Sequence, residues 1–353
     1  MHIPDGYLSP STCAVTYALA LPFWYVATRR LKRELNTKLV PLVSVVSAFC
    51  FVIMMFNLPL PGGTTGHAVG VGIAAILLGP WAAIVAISLA LLIQALFFGD
   101  GGLTAFGANS LNMAIIGSFT AYGIYLVLAG RSPVTSLRRV IAAGLAGYIA
   151  INVSALAAAI EFGVQPMLFH DASGAPLYAP YPLSIAVPAM LGGHLTIAGL
   201  AEMLLTAGIV AYIQRSNPQL LERHAMAGGG AGMSARGLAL ILGILMVASP
   251  LGLLAAGTAW GEWSAQDFAD PSARAAIAGA SLNAAPPTAV PQGLQHLSTV
   301  WTAPFPDYAP AFLKNEALGY MLSAFMGVGL IILAYLALSA LIGLARPRDG
   351  QHA

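Results

Sequence analysis

The sequence predicts an all-α fold, a polytopic transmembrane helical bundle, on the basis of three observations. Of its 353 residues, 58% are hydrophobic and only 8% are charged, whereas soluble domains carry about 25% charged residues. Several apolar stretches reach the roughly 20 residues that cross a hydrocarbon core about 30 Å thick. Gly, Pro and basic clusters separate these stretches, as is typical of loops between spans.

The apolar stretches define nine segments. The third is too short to cross a membrane alone, and it follows a loop rich in Pro and Gly at 58–66. Together they predict a re-entrant element, since non-helical backbone at membrane depth is tolerated only where it is buried in protein or lines a cavity. The predicted segments are 11–28, 39–57, 67–79, 80–98, 107–129, 139–161, 185–213, 237–256 and 317–344.

Basic residues predict the orientation. With the N-terminus outside and the C-terminus in the cytoplasm, all 15 Lys and Arg residues except Arg274 and Lys314 fall on the cytoplasmic side, as the positive-inside rule expects. The predicted location is a bacterial inner membrane, with the lipid bilayer as a partner and no nucleic acid. The predicted outer loops carry acids such as Asp100, Glu161 and Glu262, which are either solvated or favour the approach of cations.

A change in composition divides the chain into two membrane blocks. Residues 224–236, HAMAGGGAGMSAR, predict a flexible linker. The N-terminal block therefore comprises residues 1–223, and the C-terminal block comprises 237–344, with an extracytoplasmic loop at 257–316. Residues 345–353 are predicted to form a cytoplasmic tail.

Missing motifs limit the classes of function. No G-x-x-x-x-G-K-[ST] loop occurs, so the chain carries no phosphate cradle of that type for ATP. No H-E-x-x-H motif occurs either, which argues against a zinc protease. Cys13 and Cys50 both lie in apolar segments, so neither a disulfide framework nor a thiolate metal site is predicted. The chain is therefore not expected to be an enzyme.

The N-terminal Met1-His2 offers an unusual set of nitrogen ligands, provided that its amino group is free. The amine, the His2 amide nitrogen and the imidazole Nδ1 form two fused chelate rings and place three nitrogens in one plane. Square-planar nitrogen coordination suits Ni(II) or Cu(II). A disordered, exposed tail is the alternative, although IPDGYL at residues 3–8 is turn-forming and has apolar anchors.

His67 is the candidate for the fourth nitrogen. It lies in the Gly-rich loop GGTTGHAVG and heads an apolar segment on the predicted outer side. The small neighbours would let the N-terminal peptide approach closely. The residues alone therefore predict a metal site formed by Met1, His2 and His67.

Polar residues at membrane depth form a second group of candidates. Such residues are costly in lipid and commonly face the protein interior, so they predict a lining or supporting role around a site. Packing between helices is an equal alternative for the amides, and packing against a polar donor is equally open for the one acid placed inside a span. These candidates are Gln94, Asn109, Asn112, His194 and the acid Glu202.

At MHIPDGYLSP, GGTTGHAVG, LLIQALFFGDGGLTAFGANSLNM and GGHLTIAGLAEMLLTAG the sequence resembles the nickel/cobalt-specific substrate-binding components of energy-coupling factor transporters, the CbiM/NikM type. These motifs are spread over residues 1–213. The resemblance implies that the N-terminus folds back into the bundle and that Met1, His2 and His67 hold the metal. It also implies substrate capture for ATP-driven uptake of Ni(II) or Co(II), without a catalytic cofactor.

Residues 237–344, including FPDYAPAFLKNEALGYMLSAFMGVGL, resemble the small accessory component of these systems, of PDGLE type, fused to the binding component. Fusion is more typical of the nickel branch and so favours Ni(II). The resemblance implies further partners, a coupling transmembrane protein and two cytoplasmic ATP-binding subunits. A self-sufficient secondary transporter or channel is the alternative, but it would favour ionisable relays in several spans, and Glu202 is the one clear acid.

Overall fold

The computed structural model describes residues 1–34, 39–221 and 234–344. Within them, six helical stretches are long and apolar enough to cross a membrane. This finding confirms the predicted polytopic helical bundle. Most of the predicted linker and the whole predicted tail, 345–353, lie outside the described residues. The six stretches are Val71–Phe98, Phe106–Ala129, Leu137–Leu168, Leu183–Ser216, Gly237–Leu254 and Glu316–Ala340.

The helices follow one another with short connections in the N-terminal block and with a long loop, 257–316, in the C-terminal block. In the N-terminal block they are α1 (Pro10–Glu34), α2 (Leu39–Met54), α3 (Val71–Ile93), α4 (Phe106–Asn109), α5 (Gly117–Ala129), α6 (Leu137–Leu168), α7 (Leu183–Gly193) and α8 (Gly199–Ser216). In the C-terminal block they are α9 (Ser234–Ala248), α10 (Pro271–Ala280), α11 (Gln292–Leu297) and α12 (Glu316–Leu344). Short 3₁₀ helices occur at Pro218–Leu221, Ser249–Leu254 and Pro306–Tyr308.

Three π-helical turns extend or connect these helices. They occur at Gln94–Phe98 after α3, at Ser110–Ile116 between α4 and α5, and at His194–Ala198 between α7 and α8. Such turns are rare and frequently occur at functional sites. Each of the three contains one of the polar candidates, Gln94, Asn112 or His194.

The helix α3 reverses direction at Gly79, where φ is 73° and ψ is 162°. The residues that flank the helix both approach His2: the His67 ring stacks on it from one side, and Asp100 pairs with it from the other. A straight helix of 23 residues would separate its ends by about 35 Å, so the two arms must fold back on each other. This reversal agrees with the short third segment, 67–79, that the sequence predicts.

The loop before α3 is a short β-hairpin. Strand β1 (Leu58–Leu60) pairs antiparallel with β2 (Thr64–Gly66), so that Leu58 faces Gly66. Gly62 and Gly63 form the turn with positive φ angles of 84° and 77°, a conformation that glycine adopts without steric penalty. The hairpin therefore delivers His67 to the start of α3.

The end of α6 corrects one prediction. The helix continues to Leu168 rather than ending at 161, so Glu161 lies within a helix and not in an outer loop. Its carboxylate accepts a hydrogen bond of 2.7 Å from Asn112. The helix continues past polar Gln165 because that side chain is satisfied: its Oε1 accepts from the Ser9 amide at 3.0 Å. Glu202 is therefore not the only acid in a helical span.

Candidate metal site

The N-terminal peptide is folded into the bundle. Met1, His2 and Ile3 are 3%, 1% and 0% exposed. The Asn109 amide holds the peptide from both sides: the Ile3 N–H donates to Asn109 Oδ1 at 2.8 Å, and Asn109 Nδ2 donates to the Ile3 carbonyl at 3.1 Å. The N-terminus is thus an anchored segment and not an exposed tail.

The Gly-rich bend after α3 supports this peptide. The carboxylate of Asp5 accepts hydrogen bonds from the amides of Leu103 and Thr104, at 3.1 and 2.7 Å, and from the Thr104 hydroxyl. The Gly102 N–H donates to the Ile3 carbonyl at 2.8 Å. A Cβ atom at Gly102 would overlap the backbone of Asp5. The glycine therefore permits close contact between the bend and the N-terminal peptide.

His67 presents one ring nitrogen for a metal. Its Nδ1 lies 3.0 Å from the carbonyl oxygen of Ala68, which can only accept, so Nδ1 carries the proton and Nε2 keeps its lone pair. Burial, together with the nearby terminal amine and His2, holds the pKa of His67 well below its ordinary value. The ring is therefore neutral, the form that binds metals. Its centroid lies 4.9 Å from that of the His2 ring, with 28° between the planes.

His2 pairs with a carboxylate. Its Nδ1 lies 2.6 Å from Oδ1 of Asp100, whose side chain is 18% exposed. Burial acts to raise the pKa of Asp100, but the His2 ring and the Tyr308 hydroxyl outweigh it and hold that pKa below the ordinary range. Asp100 is therefore ionised and occupies the Nδ1 atom that the predicted chelate requires.

Gln94 and Tyr308 hold the other oxygen of this carboxylate. Tyr308 donates to Asp100 Oδ2 at 2.6 Å, and Gln94 Nε2 donates to the same oxygen at 3.1 Å. Gln94 Nε2 also donates to the Tyr308 hydroxyl at 2.8 Å. The three side chains form one connected network, to which the C-terminal block contributes Tyr308.

The C-terminal block also reaches the terminal amine. Glu262 Oε1 lies 3.5 Å from the Met1 nitrogen. Burial raises the pKa of Glu262, and the amine opposes that shift. Nearby, the Tyr7 hydroxyl donates to the carbonyl oxygen of Trp263 at 2.7 Å. The sequence did not predict that Glu262 or Tyr308 belongs to the site, and its only signal was that Glu262 is an acid in a predicted outer loop.

Glu202 fixes the backbone that follows His67. Its fully buried carboxylate accepts hydrogen bonds from the amides of Val69, Gly70 and Gly72, at 2.8, 2.8 and 3.0 Å. These amides surround the first turn of α3, where the helix dipole favours negative charge. Glu202 therefore supports His67 through the main chain.

Two other polar candidates bond elsewhere. Asn112 bonds to Glu161, and His194 Nδ1 lies 2.8 Å from the Met190 carbonyl oxygen. In the part of the chain that the structure describes, His194 Nε2 is buried without a hydrogen-bond partner. The described hydrogen bonds join neither Asn112 nor His194 to the N-terminal peptide or to His67.

Side chains alone do not form a complete metal site here. Among the described residues, no group of three or more His, Cys, Asp and Glu side chains is arranged to hold a metal ion. Two imidazoles, those of His2 and His67, lie together, and main-chain nitrogens are the further donors beside them. The described hydrogen bonds use the amide of Ile3 but not that of His2. The His2 amide nitrogen is thus not committed to another partner.

These features define a multi-pass helical membrane protein whose N-terminal peptide lies buried beside two imidazoles. Residues 2–220 match the CbiM family, described as "Cobalt uptake substrate-specific transmembrane region". Residues 234–344 match the PDGLE domain. The chain therefore belongs to the CbiM family and carries a C-terminal PDGLE domain, as the resemblance in its motifs implies.

Whole-chain relatives share both parts. The "Fused nickel transport protein NikMN" of Rhodobacter capsulatus is 60% identical over 349 residues, which cover 96% of this chain and 97% of that protein. The "Probable fused nickel transport protein LarMN" of Lactiplantibacillus plantarum is 43% identical over 94% of this chain and 96% of its own length. A crystal structure described as a truncated transition metal transporter is 51% identical, with a TM-score of 0.57, and covers 61% of this chain and 99% of its own.

Proposed function

We propose that the chain is the substrate-capture subunit of an ATP-driven uptake transporter of the energy-coupling factor type, and that its substrate is Ni(II) or Co(II). The observation that carries this proposal is the burial of Met1 and His2 against the His67 ring. Ordering a buried N-terminus costs conformational entropy. Ligation of an ion through the nitrogens of this segment would account for its ordered, buried position.

The proposed ligands are four nitrogens in a near-planar set. They are the amine of Met1, provided that it is free, the amide nitrogen and Nδ1 of His2, and Nε2 of His67. Planar nitrogen coordination suits Ni(II). Nickel is the first candidate because the two fused relatives are named nickel transport proteins, and cobalt is the second because the family description names cobalt.

Residues around the four nitrogens would fix the main chain and side chains that carry these ligands. Asn109 fixes the peptide after His2, Glu202 fixes the loop after His67, and Gln94 belongs to the network around Asp100. Such supporting partners typically change metal affinity by about 10- to 100-fold. We assign no ligand role to Asn112 or His194.

The proposed organisation assigns residues 1–223 to metal binding, 224–236 to a linker, 237–344 to the accessory membrane domain and 345–353 to the cytoplasmic tail. The N-terminus is proposed to be extracytoplasmic, in a bacterial inner membrane. The Ser9–Gln165 hydrogen bond supports this orientation, because it joins the start of α1 to the end of α6 on the side of the site. Basic residues therefore gather at the opposite end of both helices: Arg29, Arg30, Arg138 and Arg139.

Binding by this chain would be passive, and energy would come from partners. The proposed partners are a coupling transmembrane protein and two cytoplasmic ATP-binding subunits. Their action must produce states that differ in affinity for the ion, because otherwise no net release could be driven. A self-sufficient secondary transporter is the competing reading, and uptake by cells that express this chain without those subunits would favour it.

Nickel titration of the purified full chain tests the site. His2→Ala and His67→Ala should each abolish tight binding, because each removes one imidazole from the set. His296→Ala is the matched control, since this histidine is exposed in the outer loop and should leave affinity unchanged. Parental affinity in both His2→Ala and His67→Ala would refute the proposed site.

A further inference from the structure

We propose that Tyr308, from the C-terminal block, is a positioning residue for metal binding, which acts through Asp100 and allows His2 to exchange a carboxylate for the metal. This inference rests on the four-nitrogen site proposed above. It assigns the C-terminal block a chemical role at the site without making it a source of ligands.

The exchange follows from a competition for one atom. The imidazole Nδ1 of His2 is the nitrogen that closes the six-membered chelate ring with its own amide nitrogen. In this structure the same Nδ1 pairs with Asp100 Oδ1 at 2.6 Å. One nitrogen cannot hold a carboxylate and a metal at once, so metal binding must release Asp100 from His2.

Release takes the His2 partner away from Oδ1 of Asp100. Its side chain is 18% exposed, and a largely buried acceptor that loses a hydrogen-bond partner carries a desolvation cost. The second oxygen, Oδ2, keeps its donors, because Tyr308 and Gln94 bind it and not the oxygen that faces His2. These donors are present before and after His2 leaves, but afterwards they are the partners that remain among those described above. Their contribution to stabilising the carboxylate is therefore larger in the metal-bound arrangement, which they favour by that difference.

Contacts around Tyr308 fix the position of its hydroxyl next to Asp100. The ring stacks on Phe98 at 4.8 Å and meets Tyr320 edge-on at 5.3 Å. Ser323 donates a hydrogen bond of 2.9 Å to the Tyr308 carbonyl. Asp307 and Tyr308 both adopt positive φ angles, 54° and 59°, which are uncommon outside glycine and are typically maintained only where surrounding contacts require them. The strained turn presents the hydroxyl to Asp100.

The test is nickel titration of the full chain carrying Tyr308→Phe. Loss of a hydrogen bond to a charged group should weaken nickel binding by about 10- to 100-fold. The absorption spectrum of the bound nickel should not change, because no ligand is altered. Tyr320→Phe is the matched control: its hydroxyl lies in the same block but donates to the Met55 carbonyl at 2.7 Å, and it should bind nickel as the parent chain does.

Measuring Tyr308→Phe in the Asp100→Asn variant as well distinguishes an effect through the Asp100 carboxylate from an effect on local packing. With Asp100→Asn, the carboxylate to which Tyr308 donates is absent, so adding Tyr308→Phe should produce little further loss. An equal loss in both backgrounds would overturn the proposal, as would Tyr308→Phe with unchanged or tighter binding. If Tyr308→Phe fails to fold, Gln94→Met removes the other donor to Oδ2 and should weaken binding in the same direction, and unchanged affinity there would overturn the proposal.

Refutation of the role of Tyr308 can be distinguished from refutation of the four-nitrogen site. If His67→Ala loses tight binding while Tyr308→Phe retains it, the proposed site stands and the role of Tyr308 is refuted. If both His2→Ala and His67→Ala keep parental affinity, the four-nitrogen site fails first, and the exchange proposed here fails with it.

Discussion

The Nδ1 atom of His2 lies 2.6 Å from Oδ1 of Asp100, while the His2 ring stacks on His67 at 4.9 Å. The two imidazoles are thus brought together, but one of them has a carboxylate partner on the nitrogen that a planar chelate uses. Binding in the proposed chelate therefore requires the His2 ring to give up its contact with Asp100. The anchoring of Ile3 by Asn109 confines that rearrangement to the first two residues.

A structure with nickel bound should record this change. We expect the contact between His2 Nδ1 and Asp100 Oδ1 to be lost and the hydrogen bonds of Asn109 to Ile3 to remain. Crystallography or electron microscopy of the full chain with nickel measures both. A bound nickel with the His2–Asp100 pair intact would contradict the predicted use of Nδ1.

Glu202→Gln should weaken nickel binding. An amide has a single acceptor oxygen and turns its NH₂ group toward backbone donors, so it cannot replace a carboxylate that accepts from three amides after His67. We expect a loss of about 10- to 100-fold in affinity. Glu161→Gln is the matched control, because this acid also lies in a helical span but bonds to Asn112. An equal effect of the two substitutions would show that Glu202 has no special link to the site.

The packing of the long C-terminal loop, 257–316, on the N-terminal peptide can be tested without removing a polar group. A Cβ atom at Gly293 would overlap the carbonyl oxygen of Gly6, so Gly293→Ala should displace the loop and weaken nickel binding. Gly279→Ala, in the same loop, meets no atom within 4 Å and serves as the control. Comparison of the two dissociation constants by titration measures the effect, and equal constants would show that this contact does not support the site.

Nickel affinity should fall as the pH is lowered from about 8 to 5. Metal binding displaces protons from its ligands, and a terminal amine has a reference pKa of about 7.7–8.0. His67 should contribute little to this dependence, because burial lowers its pKa and keeps it neutral. Calorimetry in buffers of different ionisation enthalpy counts the released protons. Absence of proton release would indicate a site made of carboxylates, whose reference pKa values are near 4.

Local features of the fold could be predicted from the sequence because they depend on neighbouring residues. The length of the apolar stretches predicts the spans, and the short segment 67–79 agrees with the reversal at Gly79. The end of α6 was predicted wrongly, because the polar residues Glu161 and Gln165 favour a loop when only the sequence is considered. Both are satisfied within the helix by partners distant in the chain, Asn112 and Ser9.

The contribution of the C-terminal block to the surroundings of the site could not be predicted. Tyr308 lies 208 residues from Asp100 in the chain, and Glu262 lies 261 residues from Met1. No spacing rule connects residues so far apart, and their proximity depends on how α12 and the loop 257–316 pack on the N-terminal block. The π-helical turns are likewise set by packing and not by a local motif.

The most direct measurement of the central claim is nickel binding by one preparation before and after removal of an N-terminal extension. An added residue converts the Met1 amine into a peptide nitrogen and intrudes where Glu262 lies 3.5 Å from that amine. The extended chain should bind nickel only weakly, and cleavage by a protease that leaves Met1 as the first residue should restore tight binding with a planar nickel spectrum. Tight binding by the uncleaved chain would contradict a site built on the terminal amine.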